Sequence, residues 1–513
     1  MNSGRYVVTT AIHYPNGRPH IGHAYEAIAT DWLARFARAD GRETFFLTGT
    51  DEHGLKIAQA ARTAGLPPRA FVDGMTSHFR EMTKQLQISC DRFIRTTDSD
   101  HVACVQALWQ RMEAAGDLYL GRYEGWYSVR DEAYYDAEET SLGEDGVRRA
   151  PTGTEVSWTV EESWFFRLSR YQEPLLNLYA ERPDFVQPAS RRNEMRAFVE
   201  RGLQDLSVSR TSFDWGVPVP GAPGHVMYVW VDALANYLTP SGWPAAGWEA
   251  RWPADLHVIG KDVVRFHTIY WPAFLMSAGL PLPRRVFGHG FVLNRGAKMS
   301  KSLGNVVEPG ALAEMFGLDA LRYYLLAAIA FGQDGEWSHE AIVRRVNADL
   351  ANDLGNLAQR TLSMIAKNCA GRVPPDGPKT PSDTALLDQL ETMLEEARDA
   401  HAAVRPDLAL AATWARVSAT NAYLNEAAPW ALRKTDPARA DVVLWHAAEA
   451  VRRIALLTQP AMPGSAARLL DQLAIPAEAR SFASFDDALV PGTVLPPPQG
   501  VFPRLAVPEE EPA

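Results

Sequence analysis

Two strings of residues, far apart in the chain, have the types and spacing to act on a single nucleotide. His20-Ile21-Gly22-His23 carries two imidazoles at i and i+3, and Gly22 between them lets a phosphate approach the N-terminus of a following helix. Lys298-Met299-Ser300-Lys301-Ser302 carries two ammonium groups at the same spacing, in a stretch bracketed by Gly296 and Gly304. Displacement at an α-phosphate by a carboxylate asks for little covalent help. The protein has to align the nucleophile with the leaving pyrophosphate and absorb the added negative charge. His20 and His23 could donate to phosphate oxygens, while Lys298 and Lys301 could pair with the β- and γ-phosphates as their loop closes. Positioning of this kind supplies roughly 7 to 11 kcal/mol of barrier reduction. Each string alone has a plainer reading, capping or packing histidines in one case and a soluble surface loop in the other. Together they point to ATP activation.

The elements that must hold these groups are legible as patterns. A strand at Arg5–Thr10, a helix over about Ile21–Ala39 and a strand at 44–47 predict a parallel sheet covered by helices, with a sharp turn at 14–19 before the first string. From 116 to 221 the texture changes to short aromatic-rich strands, predicted at 118–123, 125–129 and 163–168, around a polar loop at 136–153. This reads as an insertion. The parallel pattern resumes with strands expected at 226–231, 256–259 and 285–291, each ending in Gly, Asp or His. Beyond Ile342 the chain turns helical: Leu444, Ala447, Ala448, Val451, Ile454 and Ala455 repeat at the helical period. The expectation is an α/β protein, a doubly wound parallel Rossmann-like sheet split by an inserted domain and followed by an all-α bundle. Its segments are 1–115, the insertion 116–221, the second half 222–341, the bundle 342–490 and a Pro-rich tail, 491–513, that wraps or dangles without a core of its own.

The bulk composition narrows the classes. With 513 residues, 46% of them hydrophobic, the chain can build two or three cores, and no apolar run is long enough to span a bilayer. Without a basic, cleavable leader, a cytoplasmic location is the expectation. The three cysteines, Cys90, Cys104 and Cys369, are too scattered for a metal knuckle or a disulfide framework. A net charge of −11 argues against nucleic-acid binding over the whole surface but leaves room for a local basic track, such as Arg344, Arg345, Arg360 and Lys367.

Further strings carry a resemblance. Thr48-Gly49-Thr50-Asp51-Glu52-His53-Gly54, Tyr228-Val229-Trp230-Val231-Asp232-Ala233, Ile259-Gly260-Lys261-Asp262 through His267, and Asn356-Leu357-Ala358-Gln359-Arg360 accompany the first two, nearly end to end. With them the chain resembles the methionyl-tRNA synthetase family of class I aminoacyl-tRNA synthetases. The resemblance implies activation of methionine by ATP with Mg2+, transfer to tRNA(Met), the initiator included, through a CAU anticodon, and His20, His23, Lys298 and Lys301 as the catalytic groups. Ala11, Ile12, Tyr14, Trp230, Ala233, Leu234, Tyr237 and His267 match a methionine side-chain pocket, where aromatic edges suit a thioether. Core packing is the competing reading of Trp230 and Tyr237. Asp51 matches the partner of the α-ammonium, with a helix N-cap as its alternative. Gly22, Glu26, Gly260, Asp262 and Lys301 match the ATP site, although Glu26 could equally lie on an exposed helix face. The bundle is similar to an anticodon-binding domain, with Asn356, Arg360 and Trp430 at the reading positions and core packing as the alternative for Trp430.

The departures from the family pattern are informative. Many relatives hold zinc in the insertion through cysteine pairs, yet 127–132 has no cysteine, so no protein-bound zinc is expected and packing by Trp126, Tyr127, Trp158 and Trp164 must serve instead. The insertion is too short for a hydrolytic editing domain. Without a C-terminal oligonucleotide-binding barrel, a monomer is expected. Among competing readings, a cysteinyl-type synthetase would need a zinc-binding cysteine in its amino-acid site. A small nucleotidyltransferase would have no use for the bundle, and a non-catalytic relative would have lost one of the four catalytic groups.

Overall fold

The computed structural model describes residues 4–130, 133–294, 297–298 and 307–507. At its centre is a six-stranded, wholly parallel sheet. In spatial order it runs β3 (Arg92–Arg95), β2 (Glu43–Thr50), β1 (Arg5–Thr10), then the strands Leu256–Gly260, Val286–His289 and Val186–Gln187. The near-continuous apolar runs of these strands are what burial on both faces demands. Chain order reverses between β1 and Leu256–Gly260, because β1 is followed on one side by β2 and on the other by a strand about half the chain later. In open α/β sheets that switch point opens a crevice at the carboxyl ends of the strands. Helix α1 (Ile21–Ala39) packs on β1 and β2, its start facing that crevice.

Several expected elements are redrawn. The strand foreseen at 226–231 is only Val226–Met227, paired antiparallel with Ser209–Arg210, and the chain then forms the helix Val229–Ala235. The β-branched run misleads because the chain is buried almost throughout 226–238, and a helix that begins inside the run places Val231, Leu234, Ala235 and Leu238 at the i, i+3, i+4, i+7 spacing. The strands at 118–123 and 125–129 are one, Leu118–Ser128, with Gly125 inside the ladder opposite Thr159 of Ser157–Phe166. The polar loop contains a short hairpin, Ser141–Leu142 with Arg148–Arg149. The segment foreseen at 285–291 ends at His289, and Val292–Asn294 then joins a separate sheet between Ala297–Lys298 and Gly335–Trp337.

In the insertion, Trp126 and Trp158 stand opposite each other with ring centroids 5.4 Å apart, and Trp164 meets Trp109 at 6.1 Å. The helical part takes in His339–Arg345, the π-helical Val346–Gly355 and Asn356–Asn368 and centres on Pro437–Thr458, in which the six residues of the apolar period are fully buried. It grips the far half of α1. The buried Arg322 guanidinium bonds the Asp31 carboxylate at 2.7 Å and the Pro460 and Ala461 carbonyls at 3.0 Å. His401 bonds the Leu33 carbonyl, and Arg398 bonds Asp40. The tail wraps: Leu495 and Val501 are buried in the shared core, and Leu505 exchanges two hydrogen bonds with the Asn347 amide. No helix among the described residues is long and apolar enough to cross a membrane.

Candidate active site

His20 is the N-cap of α1, and the geometry of this cap explains its string. His20 Nδ1 accepts from the Gly22 N–H at 3.1 Å, while His23 Nδ1 accepts from the His20 N–H at 3.1 Å. The rings stack 3.9 Å apart. A Cβ on Gly22 would lie 2.9 Å from His20 Cε1, so only glycine lets the ring fold back over the helix start. Because both Nδ1 atoms accept, the neutral rings carry their protons on Nε2, the opposite edge of each ring. Capping and catalysis are therefore not rival readings: capping orients two N–H donors. A third imidazole, unforeseen in the sequence, lies beside them. His13 meets His23 edge-on at 5.0 Å and stacks on Phe79, and burial, with His20 nearby, lowers its pKa to about 3, so it stays neutral.

These rings line a cavity of about 620 Å³ at the switch point, and its walls include every described candidate for nucleotide and amino acid: Gly22, Glu26, Gly260, Asp262, Ala11, Ile12, Tyr14, Asp51, Trp230, Ala233, Leu234, Tyr237 and His267. Ala11 and Ile12 leave the end of β1, and Asp51 follows β2 directly. Its N–H donates to the His13 carbonyl at 2.8 Å. The next helix, Leu55–Thr63, is capped at Gly54, so Asp51 is not its N-cap. Gly260 ends its strand, and a Cβ there would meet Asp262 Oδ1 at 2.7 Å. Glu26 is buried rather than on an exposed helix face, and its Oε2 meets His289 Nε2 at 2.9 Å.

The apolar side is stiffened by aromatic contacts. Trp230 lies half-buried against the cavity and stacks flat on Phe266, centroids 3.7 Å apart. A π-helical turn, Phe266–Tyr270, carries His267 into the wall. His267 Nδ1 donates to the Val263 carbonyl at 2.9 Å, so its Nε2 accepts from the Tyr237 hydroxyl at 2.7 Å. Burial lowers the His267 pKa to about 4. The result is a neutral, rigid rim around an apolar hole.

Asp232, the fifth residue of its string, does not line the cavity but ties its two walls together. Oδ2 meets His53 Nδ1 and Oδ1 meets His101 Nε2, both at 2.7 Å, linking the Trp230 helix to the segment that carries Asp51. Burial alone would raise this carboxyl, yet the two imidazoles overrule it and hold the pKa at about 2, below the usual carboxylate range. A depressed carboxyl stabilises the fold above its unfolded pKa and loses that contribution as pH falls through its folded one. Asp232→Asn should therefore lower thermal stability at neutral pH and flatten its decline between pH 4 and 2, which unfolding curves across that range would reveal. Glu52 is likewise structural, bonded by Thr50, Thr76, Thr97 and Arg95.

Lys298 belongs to the strand Ala297–Lys298, paired with Leu293 next to the cavity-lining Val292. Its side chain, and Lys301 within 299–306, lie outside the described residues. The chain re-enters beside α1: the Val307 carbonyl accepts the Ile21 N–H at 3.1 Å, and Glu308 pairs with Arg18 at 3.1 Å. The described residues that flank 299–306 thus lie beside Val292 and the start of α1. Far away, Asn356 is exposed at the start of its helix, and Arg360 one turn on donates to Asn425 at 3.0 Å. The Arg360 guanidinium lies 5.2 Å over the ring of Trp430, which is 45% exposed, so Trp430 is not a core residue.

Besides His13, the pattern reading passed over Lys56, Asn236 and His289 in the cavity wall. For His289 the signal was its flanking glycines: a Cβ on Gly290 would strike the Gln333 backbone at 2.2 Å.

A split doubly wound sheet with capping histidines at its switch point and a helical bundle behind defines a class I aminoacyl-tRNA synthetase. Comparisons with known proteins agree: the family model "tRNA synthetases class I (M)" matches residues 6–143 and 148–362, and "Anticodon binding domain of methionyl tRNA ligase" matches 373–511. A methionine–tRNA ligase of Mesorhizobium japonicum is 60% identical over 98% of both chains, and one of Brucella suis is 58% identical over the full length of both. The solved Mycobacterium tuberculosis methionyl-tRNA synthetase in complex with methionyl-adenylate superposes with a TM-score of 0.96 at 56% identity, covering 98% of this chain and 100% of that one. The chain belongs to the methionine–tRNA ligase family.

Proposed function

We propose that the cavity activates L-methionine with ATP and that the bundle selects tRNA(Met), the initiator included, by a CAU anticodon. The methionine carboxylate attacks the α-phosphate, pyrophosphate leaves, and the terminal ribose hydroxyl of the tRNA then takes the methionyl group from the adenylate and releases AMP. In this reading the Nε2–H groups of His20 and His23 donate to phosphate oxygens, and Lys298 and Lys301 neutralise the leaving pyrophosphate. Gly22, Glu26, Gly260 and Asp262 hold the nucleotide, which arrives with Mg2+ on its phosphates. Asp51 meets the α-ammonium, and Ala11, Ile12, Tyr14, Trp230, Ala233, Leu234, Tyr237 and His267 enclose the thioether. The observation that carries the reading is that the two histidines and the nucleotide and amino-acid candidates from Ala11 to His267, drawn from both halves of the split sheet, line one cavity.

The same proposal takes residues 1–115 and 222–341 as the catalytic halves, 116–221 as an insertion working without zinc, 342–490 as the anticodon domain and 491–513 as its wrapping tail, in a cytoplasmic monomer. ATP–pyrophosphate exchange with each amino acid in turn tests the substrate: exchange is expected only with methionine and close analogues such as selenomethionine. Exchange driven by cysteine or leucine would overturn it. For the anticodon side, Trp430→Ala should weaken tRNA charging by about tenfold or more, the worth of one base–aromatic stack, with exchange unchanged. Loss of both activities would make Trp430 a structural residue.

A further inference from the structure

The His53–Asp232–His101 bridge lies behind the cavity. All three side chains are buried and none of the three residues lines it, so whatever the bridge does for a ligand it does through its neighbours. On the helix Val229–Ala235, Trp230 and Leu234 stand two residues before and after Asp232 and therefore present the opposite face, the one that meets the cavity. A carboxylate only accepts, so His53 Nδ1 and His101 Nε2 both donate to it, each at 2.7 Å. Charge-assisted bonds of this kind, made away from water, are short and strong.

The two arms hold different things. His101 stands on the helix Ser99–Ala114 with its Nδ1 3.0 Å from the Thr239 hydroxyl, so this arm fixes the Asp232 carboxylate from outside the site. His53 follows Asp51 by two residues. Its carbonyl accepts the Tyr14 hydroxyl at 3.1 Å, and its ring meets Trp215 edge-on at 5.3 Å. The arm to His53 thus crosses from the Trp230 wall to the Asp51 wall. In the function proposed above those walls receive opposite ends of the amino acid: Asp51 takes the α-ammonium, while Trp230, Ala233 and Leu234 take the far end of the side chain. The separation of the walls is then a limit on length, and an interior packed to protein density is sensitive to a single methylene.

We propose that Asp232 is a positioning residue for side-chain length: through His53 it holds the Trp230 wall at a fixed reach from Asp51, so that the pocket refuses an amino acid one methylene longer than methionine. This rests on the reading of the cavity as a methionine site. The test is ATP–pyrophosphate exchange by the full-length enzyme with methionine, ethionine, which adds one methylene, and norleucine, which replaces the sulfur without changing the length. The unmodified enzyme should prefer methionine over ethionine in kcat/KM by about 10- to 200-fold, the worth of one methylene in an apolar pocket. His53→Phe keeps a ring beside Trp215 and the backbone bond to Tyr14 but loses the donor to Asp232. It should cut the methionine-to-ethionine ratio by about fivefold or more as the released walls part, while the methionine-to-norleucine ratio, which reports the sulfur, holds within about twofold. His53→Asn, whose amide places an N–H where Nδ1 stands, should restore the native ratio, and His53→Leu repeats the loss with a smaller side chain if the phenyl ring prevents folding. A role in stability alone would lower exchange with all three amino acids alike. A methionine-to-ethionine ratio unchanged in folded His53→Phe or His53→Leu enzyme overturns the proposal, as does a collapse of both ratios together, or ethionine used as well as methionine by the unmodified enzyme. Unmodified enzyme that exchanges with neither methionine nor ethionine would instead defeat the reading of the cavity itself.

Discussion

Lys301→Ala should slow methionyl-adenylate formation by about 10²- to 10³-fold, the range for deleting a donor aimed at charge that develops in a transition state. Methionine binding, measured by equilibrium titration without ATP, should not change. The two effects separate because, on this reading, the Lys301 ammonium meets the charge that develops on the departing pyrophosphate as the α–β bridge breaks, so its contribution falls on the rate rather than on ground-state affinity. The described residues on either side of 299–306 support this: Lys298 is laddered to Leu293, and the Val307 carbonyl accepts the first N–H of α1. A variant that lost methionine affinity and rate in equal measure would place Lys301 on the amino acid instead.

Asp51→Asn should raise the KM for methionine by about 10- to 100-fold, with little change in the KM for ATP, because the amide keeps the shape of the carboxylate but not its charge. Asp51 is 7% exposed at the end of β2, in a wall where burial keeps His13 and His267 neutral, their pKa values lowered to about 3 and about 4. In such a setting a buried carboxylate is the natural counter-charge for an ammonium, and the attraction is strengthened by the low local dielectric. Steady-state exchange kinetics at saturating ATP would measure the effect. A KM unchanged in Asp51→Asn would remove the residue from the ammonium site.

Much of this architecture was legible before any coordinates. Arg5–Thr10 and Ile21–Ala39 have the bounds that their patterns suggested, and the six residues of the helical period at 444–455 are buried, in a helix buried on every side from Val442 to Thr458. What was misread shares one cause. The Val229–Ala235 helix hides in a β-branched run, and the break read at Glu124 falls inside a ladder, opposite Val160, since local propensity is weak against the packing of distant partners.

The sequence by itself determined the chemistry on offer and where along the chain it lies: imidazoles at a helix start, acids and glycines at strand ends, lysines between glycines, an arginine and an amide one turn apart. These are short-range patterns, set by the geometry of a turn of helix or the end of a strand. Only the tertiary structure decided that capping turns the first two imidazoles into donors beside a third, that Asp232 ties His53 to His101 behind the cavity, and that His289 meets Glu26. The partners in those last two contacts are 179 and 263 residues apart for His53–Asp232 and Glu26–His289. No local period encodes such pairs. They exist because a doubly wound sheet brings β1 and Leu256–Gly260 side by side and so makes neighbours of residues that the chain keeps far apart.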